Sequence, residues 1–360
     1  ISKEALAERG LDKIPMHGVI PVTVPGAPAA WASLSKRFGK LPLSEVLAPA
    51  ISYAEEGYPI SATLGQNWQS AYKKYKATLT TEEFQHWFDT FSIDGRMPEI
   101  GEVWSSPAHG DTLRKIAKTN GEAFYKGEIA DKIDAFMKKH NGFISKEDLA
   151  SYEPEWVNPI KVHYKGYDVW EIPPNGQGIV AQMALNIYQH SEPKWQDAET
   201  LHNQIEAMKL AYTDGKAFVT ESSEMPVDVE TLLSKNYGES RFAEITDTAI
   251  HPKPFDIPKG GTVYLATADA DGNMVSYIQS NYMGFGSGIV IPETGISLQN
   301  RGYDFSLDEN HPNFLKPGKR TYHTIIPGFL TKDNQAVGPF GVMGGYMQPQ
   351  GHFQVITSTV

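Results

Sequence analysis

Up to about residue 258 the apolar residues recur mainly at helical spacing, and after Thr262 they recur at strand spacing. Residues 1–25, with prolines at 15, 21 and 25, read as irregular. Ala29, Ala30, Trp31, Leu34 and Phe38 fall on one side of a helix that opens at Pro28 and is stopped by Gly39. Val46, Leu47, Ala50, Ile51 and Ala54 stripe a second helix, from Ser44 to Gly57, with Pro49 inside it. Residues 61–92 read as further helix, and their Trp, Tyr and Phe side chains read as core. Asp111 is expected to cap a helix through Lys118, and Glu122 to His140 predicts another that Asn141-Gly142 ends. Ser145-Lys146-Glu147-Asp148 fits a capping box.

Over Ile160–Trp170 the period drops to two, which predicts a hairpin turning at Lys165-Gly166. A Pro173–Gly178 loop leads to an apolar helix over 178–190. The long helix expected over 198–217 carries Leu201, Ile205, Met208 and Ala211 on one face. One short helix is predicted within 220–258. Thr262–Ala268 and Met274–Asn281 read as strands joined across Asp269–Asn273, and Ile289-Val290-Ile291 reads as strand.

Composition narrows the function classes. The 360 residues suit one large α/β domain or two smaller ones. A net charge of −11 without a basic cluster argues against nucleic acid and anionic membrane surfaces as partners. No apolar run approaches the ~18 residues of a membrane span. The lack of cysteine removes thiol nucleophiles, disulfides and cysteine metal sites. Eleven scattered histidines with no HExxH give no reason to expect a metal, and no cofactor is expected. Gly284–Gly288 misses the GxGxxG pattern and precedes a strand-like run, so it is not read as a nucleotide loop. The chain starts at Ile1 with no visible signal peptide, which leaves cytoplasm and secretion both open.

One triplet has chemical potential. Gly260-Gly261-Thr262 is on its face a turn entering a strand. If the chain is cut between Gly261 and Thr262, however, Thr262 gains a free α-amine beside its hydroxyl, a nucleophile and base on one residue. With an ordinary pKa of roughly 7.7–8.0, that amine is partly neutral near pH 7.

The surroundings of Thr262 resemble a known family. Asp269-x-Asp271-Gly272-Asn273, Phe285-Gly286-Ser287-Gly288-Ile289, Gly295-Ile296-x-Leu298-x-Asn300-x-x-x-Asp304-Phe305, Lys319-Arg320 and Gly344-Gly345 follow it at spacings similar to those of γ-glutamyltranspeptidases, which are N-terminal-nucleophile hydrolases. Pro25-Gly26, Phe124–Gly127, Ile144–Leu149 and Pro173-Pro174 resemble that family's large subunit. The resemblance implies a four-layer αββα sandwich and a zymogen that cuts itself at Gly261/Thr262 into large (1–261) and small (262–360) subunit parts. The chain is then expected to be truncated at both ends. It also implies that Thr262 attacks a γ-glutamyl amide such as glutathione and that water or an amino acid resolves the acyl-enzyme. Gly344 and Gly345 match the oxyanion hole, where glycine N–H groups approach a reacting carbonyl unobstructed. Asp304 matches the carboxylate that holds the donor's α-ammonium, and Ser280 a hydroxyl near the nucleophile.

The departures from the pattern gather in the substrate pocket. Val263 and Tyr264 stand where many members have Thr and His, Arg301 replaces a neutral amide, and His323-Thr324 replaces a serine pair that binds the donor carboxylate. Tyr282, or Asn281 if the register slips by one, occupies an asparagine position. Arg301 is suited to a bidentate pair with a substrate carboxylate or to a pair with Asp304. Two alternatives follow: an acylase acting on glutaryl or cephalosporin-type amides, and an uncleaved, non-catalytic member.

Overall fold

The aromatic run at 61–92 folds as two helices, Ala62–Thr78 and Gln85–Phe91, separated by a short 3-10 turn. Trp68, Tyr75, Trp87 and Phe91 are buried there, with the Trp68 indole N–H donating to the Phe91 carbonyl at 3.0 Å. This computed structural model describes residues 1–195, 197–249 and 261–360. Two compact units divide the chain. One holds residues 14–155 and 283–303; the other holds 1–13, 156–282 and 304–360. Each therefore takes segments from both sides of Gly261/Thr262.

In the first unit, Ala27–Phe38 ends at Gly39 and Leu43–Glu56 ends at Gly57, with Pro49 inside the second helix. Of the expected apolar stripe only Ala54 is buried; Leu47 and Ile51 are half-buried and Val46 is 52% exposed, while Leu43, outside the stripe, faces inward. Asp111 does not cap its helix. Pro107, with its fixed φ, starts Pro107–Thr119 four residues earlier, and Asp111 lies inside, 2.7 Å from Lys115. The helix expected over 122–140 divides around Gly127 into Glu122–Tyr125 and Glu128–Lys139. Ser145 and Asp148 form the reciprocal capping box. Strands β1 (Tyr58–Pro59) and β2 (Val103–Trp104) pair antiparallel. Ile289, Val290 and Ile291 are wholly buried but form no strand; Val290 makes a single bridge to Ser297 because the chain turns back at Glu293 and Gly295, both at positive φ.

The second unit opens with a helix, Lys3–Ala7, where irregular chain was expected; Ser2 caps it by accepting from the Ala5 N–H. The predicted hairpin is β3 (Ile160–Tyr164) and β4 (Tyr167–Glu171), turning through Lys165 and Gly166, both at positive φ. The helix Gly178–Tyr188 is buried on every side. In Ala198–Phe218 the expected face fails over the first two turns: Leu201 and Ile205 are 50% and 55% exposed, while Ala207, Met208, Leu210 and Ala211 are buried. Two short helices, Val229–Leu232 and Lys235–Phe242, replace the single one expected. Residues 250–260, with the proline-rich approach and Gly260, lie outside the described residues. Strands β5 (Gly261–Ala268) and β6 (Met274–Tyr282) form a long antiparallel hairpin, and β7 (Gly328–Lys332) and β8 (Gln335–Phe340) extend a sheet of order β3-β4-β7-β8. The apolar end of the chain is the helix Gln348–Thr359. Among the described residues, no helix is long and apolar enough to cross a membrane.

Candidate functional site

Thr262 is the second residue of β5. Its neighbours Val263, Tyr264 and Leu265 are β-branched, aromatic or aliphatic and hold the strand extended. Directly opposite, on β6, lies Ser280, and the two hydroxyl oxygens are 3.0 Å apart. The ladder is irregular at the bond of interest. Gly261 pairs with Tyr282 and Thr262 with Ser280, so Asn281 is an extra residue bulged out of the pairing. Tyr282 then adopts φ +76°, a left-handed conformation costly for an aromatic residue. Its N–H donates to Ser280 Oγ at 2.9 Å, which directs the serine's own proton elsewhere. Thr262 is 9% exposed. Of the two alternatives for the asparagine position, Tyr282 is the one opposite Gly261.

The bulge places the Tyr282 hydroxyl on Asp304. It donates to Oδ1 at 2.6 Å, and the Tyr346 hydroxyl donates to the same oxygen at 2.7 Å. Asn313 Nδ2 steadies the Asp304 carbonyl at 2.8 Å. Arg301 and Asp304 are the first and last residues of one 3-10 turn; Arg301 is buried.

Tyr346 belongs to a second feature. The β8 strand runs on through Gly341, against which the Tyr264 ring packs so closely that a Cβ there would meet the ring at 2.4 Å. The chain then turns through Gly344 and Gly345, at φ +138° and +60°, into the helix that begins at Gln348. Positive φ disfavours a side chain at both, and Gly345 is buried. The turn is held from below by Gln177. Its Nε2 donates to the Gly345 carbonyl at 2.8 Å and to the Thr324 carbonyl at 2.9 Å, and its Oε1 accepts from the Tyr322 hydroxyl at 3.1 Å. Thr324 is fully buried, and His323 exchanges backbone hydrogen bonds with Asn175 and Gln177.

Gln177 and Lys216 have no counterpart among the residues singled out from the sequence. Lys216 lies in the last turn of Ala198–Phe218, with Nζ 3.4 Å from the Tyr346 ring centre and 4.2 Å from that of Tyr322. Those two rings stack at 5.6 Å. Desolvation pulls the Lys216 pKa down to about 7, against the opposing charge of Asp304. Burial, helped by Asp304, pushes the Tyr346 hydroxyl well above its ordinary value, so it stays a donor. A lysine placed at the C-terminal end of a helix ordinarily signals only a dipole partner, and a lone Gln in a Pro-Pro loop signals nothing. Thr262, Ser280, Tyr282, Asp304, Tyr346 and Lys216 thus form one unbroken chain of contacts.

A family model described as Gamma-glutamyltranspeptidase matches residues 1–360. The glutathione hydrolase-like YwrD proenzyme of Bacillus subtilis is 35% identical over 353 residues, covering 97% of this chain and 66% of that protein. The oxamate amidohydrolase proenzyme of Klebsiella pneumoniae is 32% identical over 355 residues, covering 96% of this chain and 65% of that one. Among solved structures, the cephalosporin acylase from Bacillus halodurans superposes with a TM-score of 0.95 at 61% identity, covering 99% of this chain and 66% of that one. The chain therefore spans just under two thirds of the length of these relatives.

Proposed function

Because the chain belongs to the gamma-glutamyltranspeptidase family, we propose that its precursor cuts itself between Gly261 and Thr262 and that the freed Thr262 cleaves an acyl amide through an acyl-enzyme. The observation that carries this reading is the Thr262 hydroxyl, 3.0 Å from Ser280 at a bulged ladder, on the residue that follows the bond to be cut. In maturation, Thr262 Oγ1 adds to the Gly261 carbonyl carbon, the C–N bond breaks, and water hydrolyses the resulting ester. This leaves a carboxylate on Gly261 and an amine on Thr262. In turnover, that amine takes the Thr262 hydroxyl proton as Oγ1 adds to the substrate carbonyl. The developing oxyanion faces the N–H groups of Gly344 and Gly345, the proton passes to the leaving amine, and water or an acceptor amine releases the acyl group. The fold that goes with this reading is the four-layer αββα sandwich, with both parts of the cut chain remaining together.

γ-Glutamyl amides such as glutathione are the first donor class to test, with Asp304 receiving the α-ammonium. A second reading, an acylase for amides without that ammonium, is favoured by the two tyrosine hydroxyls already donating to Asp304 Oδ1. It is also supported by the likeness to a cephalosporin acylase. The test is intact mass of the expressed protein together with release of p-nitroaniline from γ-glutamyl and glutaryl anilides. Two fragments meeting at Gly261/Thr262, and turnover lost in Thr262→Ala, are expected. A single uncut chain that turns over no amide refutes the proposal in favour of a non-catalytic member.

A further inference from the structure

We infer that Glu171 and His352 are positioning residues of the Thr262 site: the buried hydrogen bond between them fixes the helix Gln348–Thr359 and, through it, the direction of the Gly344 and Gly345 N–H groups. This rests on the reading of that turn as the place where the oxyanion forms. His352 lies one turn into the helix that leaves the glycines, and its ring Nδ1 is 2.6 Å from Glu171 Oε1. The same ring meets that of Phe340, the last residue of β8, at 4.9 Å, so both limbs of the turn close on this one side chain. Glu171 ends β4, and its carboxylate packs against Gly178, where a Cβ would come within 2.9 Å of Oε2. Gln177, next to Gly178 in the chain, bonds the Gly345 carbonyl. One corner of the fold therefore holds the turn at two points. Thr262 is tied to the same limb, because Tyr264, two residues along its strand, packs on Gly341.

The choice of residues argues for direction over cohesion. Glu171 takes an inward-facing strand position, and both side chains are 1% exposed. Such positions ordinarily go to apolar residues. Taking a carboxylate and an imidazole out of water costs much of what their attraction returns, and an apolar pair of like volume often gives equal or greater stability. What an apolar pair lacks is a preferred registry: its contacts are non-directional, whereas a hydrogen bond weakens steeply with distance and angle. The pair is also not backed up. Glu171 Oε2 and His352 Nε2 find no hydrogen-bond partner among the described residues, so neither side chain is held by a second bond.

The experiment compares the full-length, self-cut wild type with Glu171→Met/His352→Leu, Glu171→Gln and Thr262→Ala. The readouts are turnover of γ-glutamyl and glutaryl p-nitroanilides and inhibition by butaneboronic acid. The boron accepts Thr262 Oγ1, the hydroxyl proton passes to the Thr262 amine, and the four-coordinate anion sets an oxygen where the oxyanion forms. The apolar double variant removes both buried polar groups together, so it is expected to match the wild type in a urea melt. Its kcat is expected to fall about tenfold with KM nearly unchanged, and boronate inhibition to weaken about tenfold alongside. Glu171→Gln keeps an acceptor for the imidazole N–H and is expected to recover most of kcat. A double variant with wild-type kcat and inhibition, a loss confined to KM, or a Glu171→Gln variant as slow as the double one would overturn the inference and leave Thr262 as nucleophile standing. A double variant that fails to fold or stays uncut overturns it too, since the pair then serves folding or maturation and not turnover. A Thr262→Ala protein that still turns over the anilides overturns the nucleophile itself, whatever the pair does. An uncut, inactive wild type overturns both.

Discussion

Replacing Gln177 with Ala tests whether the Gly344-Gly345 turn needs to be held in place. The side chain is fully buried, bonds two carbonyls and accepts from the Tyr322 hydroxyl. Truncation leaves the Gly345 carbonyl, the Thr324 carbonyl and the Tyr322 hydroxyl each missing a partner. At about 1–3 kcal/mol for each stranded buried group, with partial rescue by water in the vacated space, a loss of about 3 kcal/mol of stability is expected. The catalytic effect has a different origin. Without that bond the Gly345 carbonyl keeps only the Gln348 N–H, so the turn can shift and the Gly344 and Gly345 N–H groups lose the orientation proposed for binding an oxyanion. Loss of one oxyanion donor costs about 10²–10³ in kcat, so mispositioning is expected to cost about tenfold to a hundredfold. The assay combines urea melts with kcat and KM on an anilide donor at a temperature where the variant is folded. The drop is expected in kcat with KM nearly unchanged, since the contact acts on the transition state. Gln177→Glu keeps an acceptor for Tyr322 but turns a buried carboxylate oxygen toward two carbonyl oxygens, and is expected to resemble Ala in kcat while losing more stability. A folded Gln177→Ala protein with wild-type kcat refutes a positioning role and leaves Gln177 a packing residue.

Further outcomes are expected elsewhere. Ser280→Ala removes the hydroxyl opposite Thr262, and self-cutting followed on a denaturing gel is expected to slow by about tenfold or more. Burial pulls the Lys216 pKa down to about 7, against the opposing charge of Asp304. Between about 7 and 10.5 the unfolded chain binds the extra proton, so the folded state gains stability as pH rises across that window. Denaturation at pH 7 and 9 is expected to show that gain in the wild type and not in Lys216→Met. Trp87→Ala empties a wholly buried site among Tyr75, Phe91 and Phe285, and a loss of about 3–5 kcal/mol in a urea melt is expected.

Local chemistry was readable along the chain, and long-range geometry was not. The 160–171 hairpin was legible because period-two alternation meets Gly166, the residue type that takes positive φ without strain. The β5–β6 hairpin and the Ser145 capping box were legible for similar reasons. Asp111 misled because Pro107 is the stronger helix opener, and Leu201 and Ile205 misled because a helical period does not say where burial begins along a helix. At the site, the hairpin spacing itself brings Ser280 to Thr262. Gln177 meets Gly345 across 168 residues, and Lys216 is set by which rings it meets, so neither leaves a local trace. The bulge at Asn281 was foreshadowed only as an open question of register.

That bulge bears on how a chain can be severed and stay folded. The peptide before Thr262 is where pairing is already interrupted, so breaking it subtracts nothing from the regular ladder that runs from Thr262 to Ala268. Connectivity can be given up at that one point while the sheet keeps its cohesion, and a chain end freed there by the proposed cut would already be seated beside Ser280.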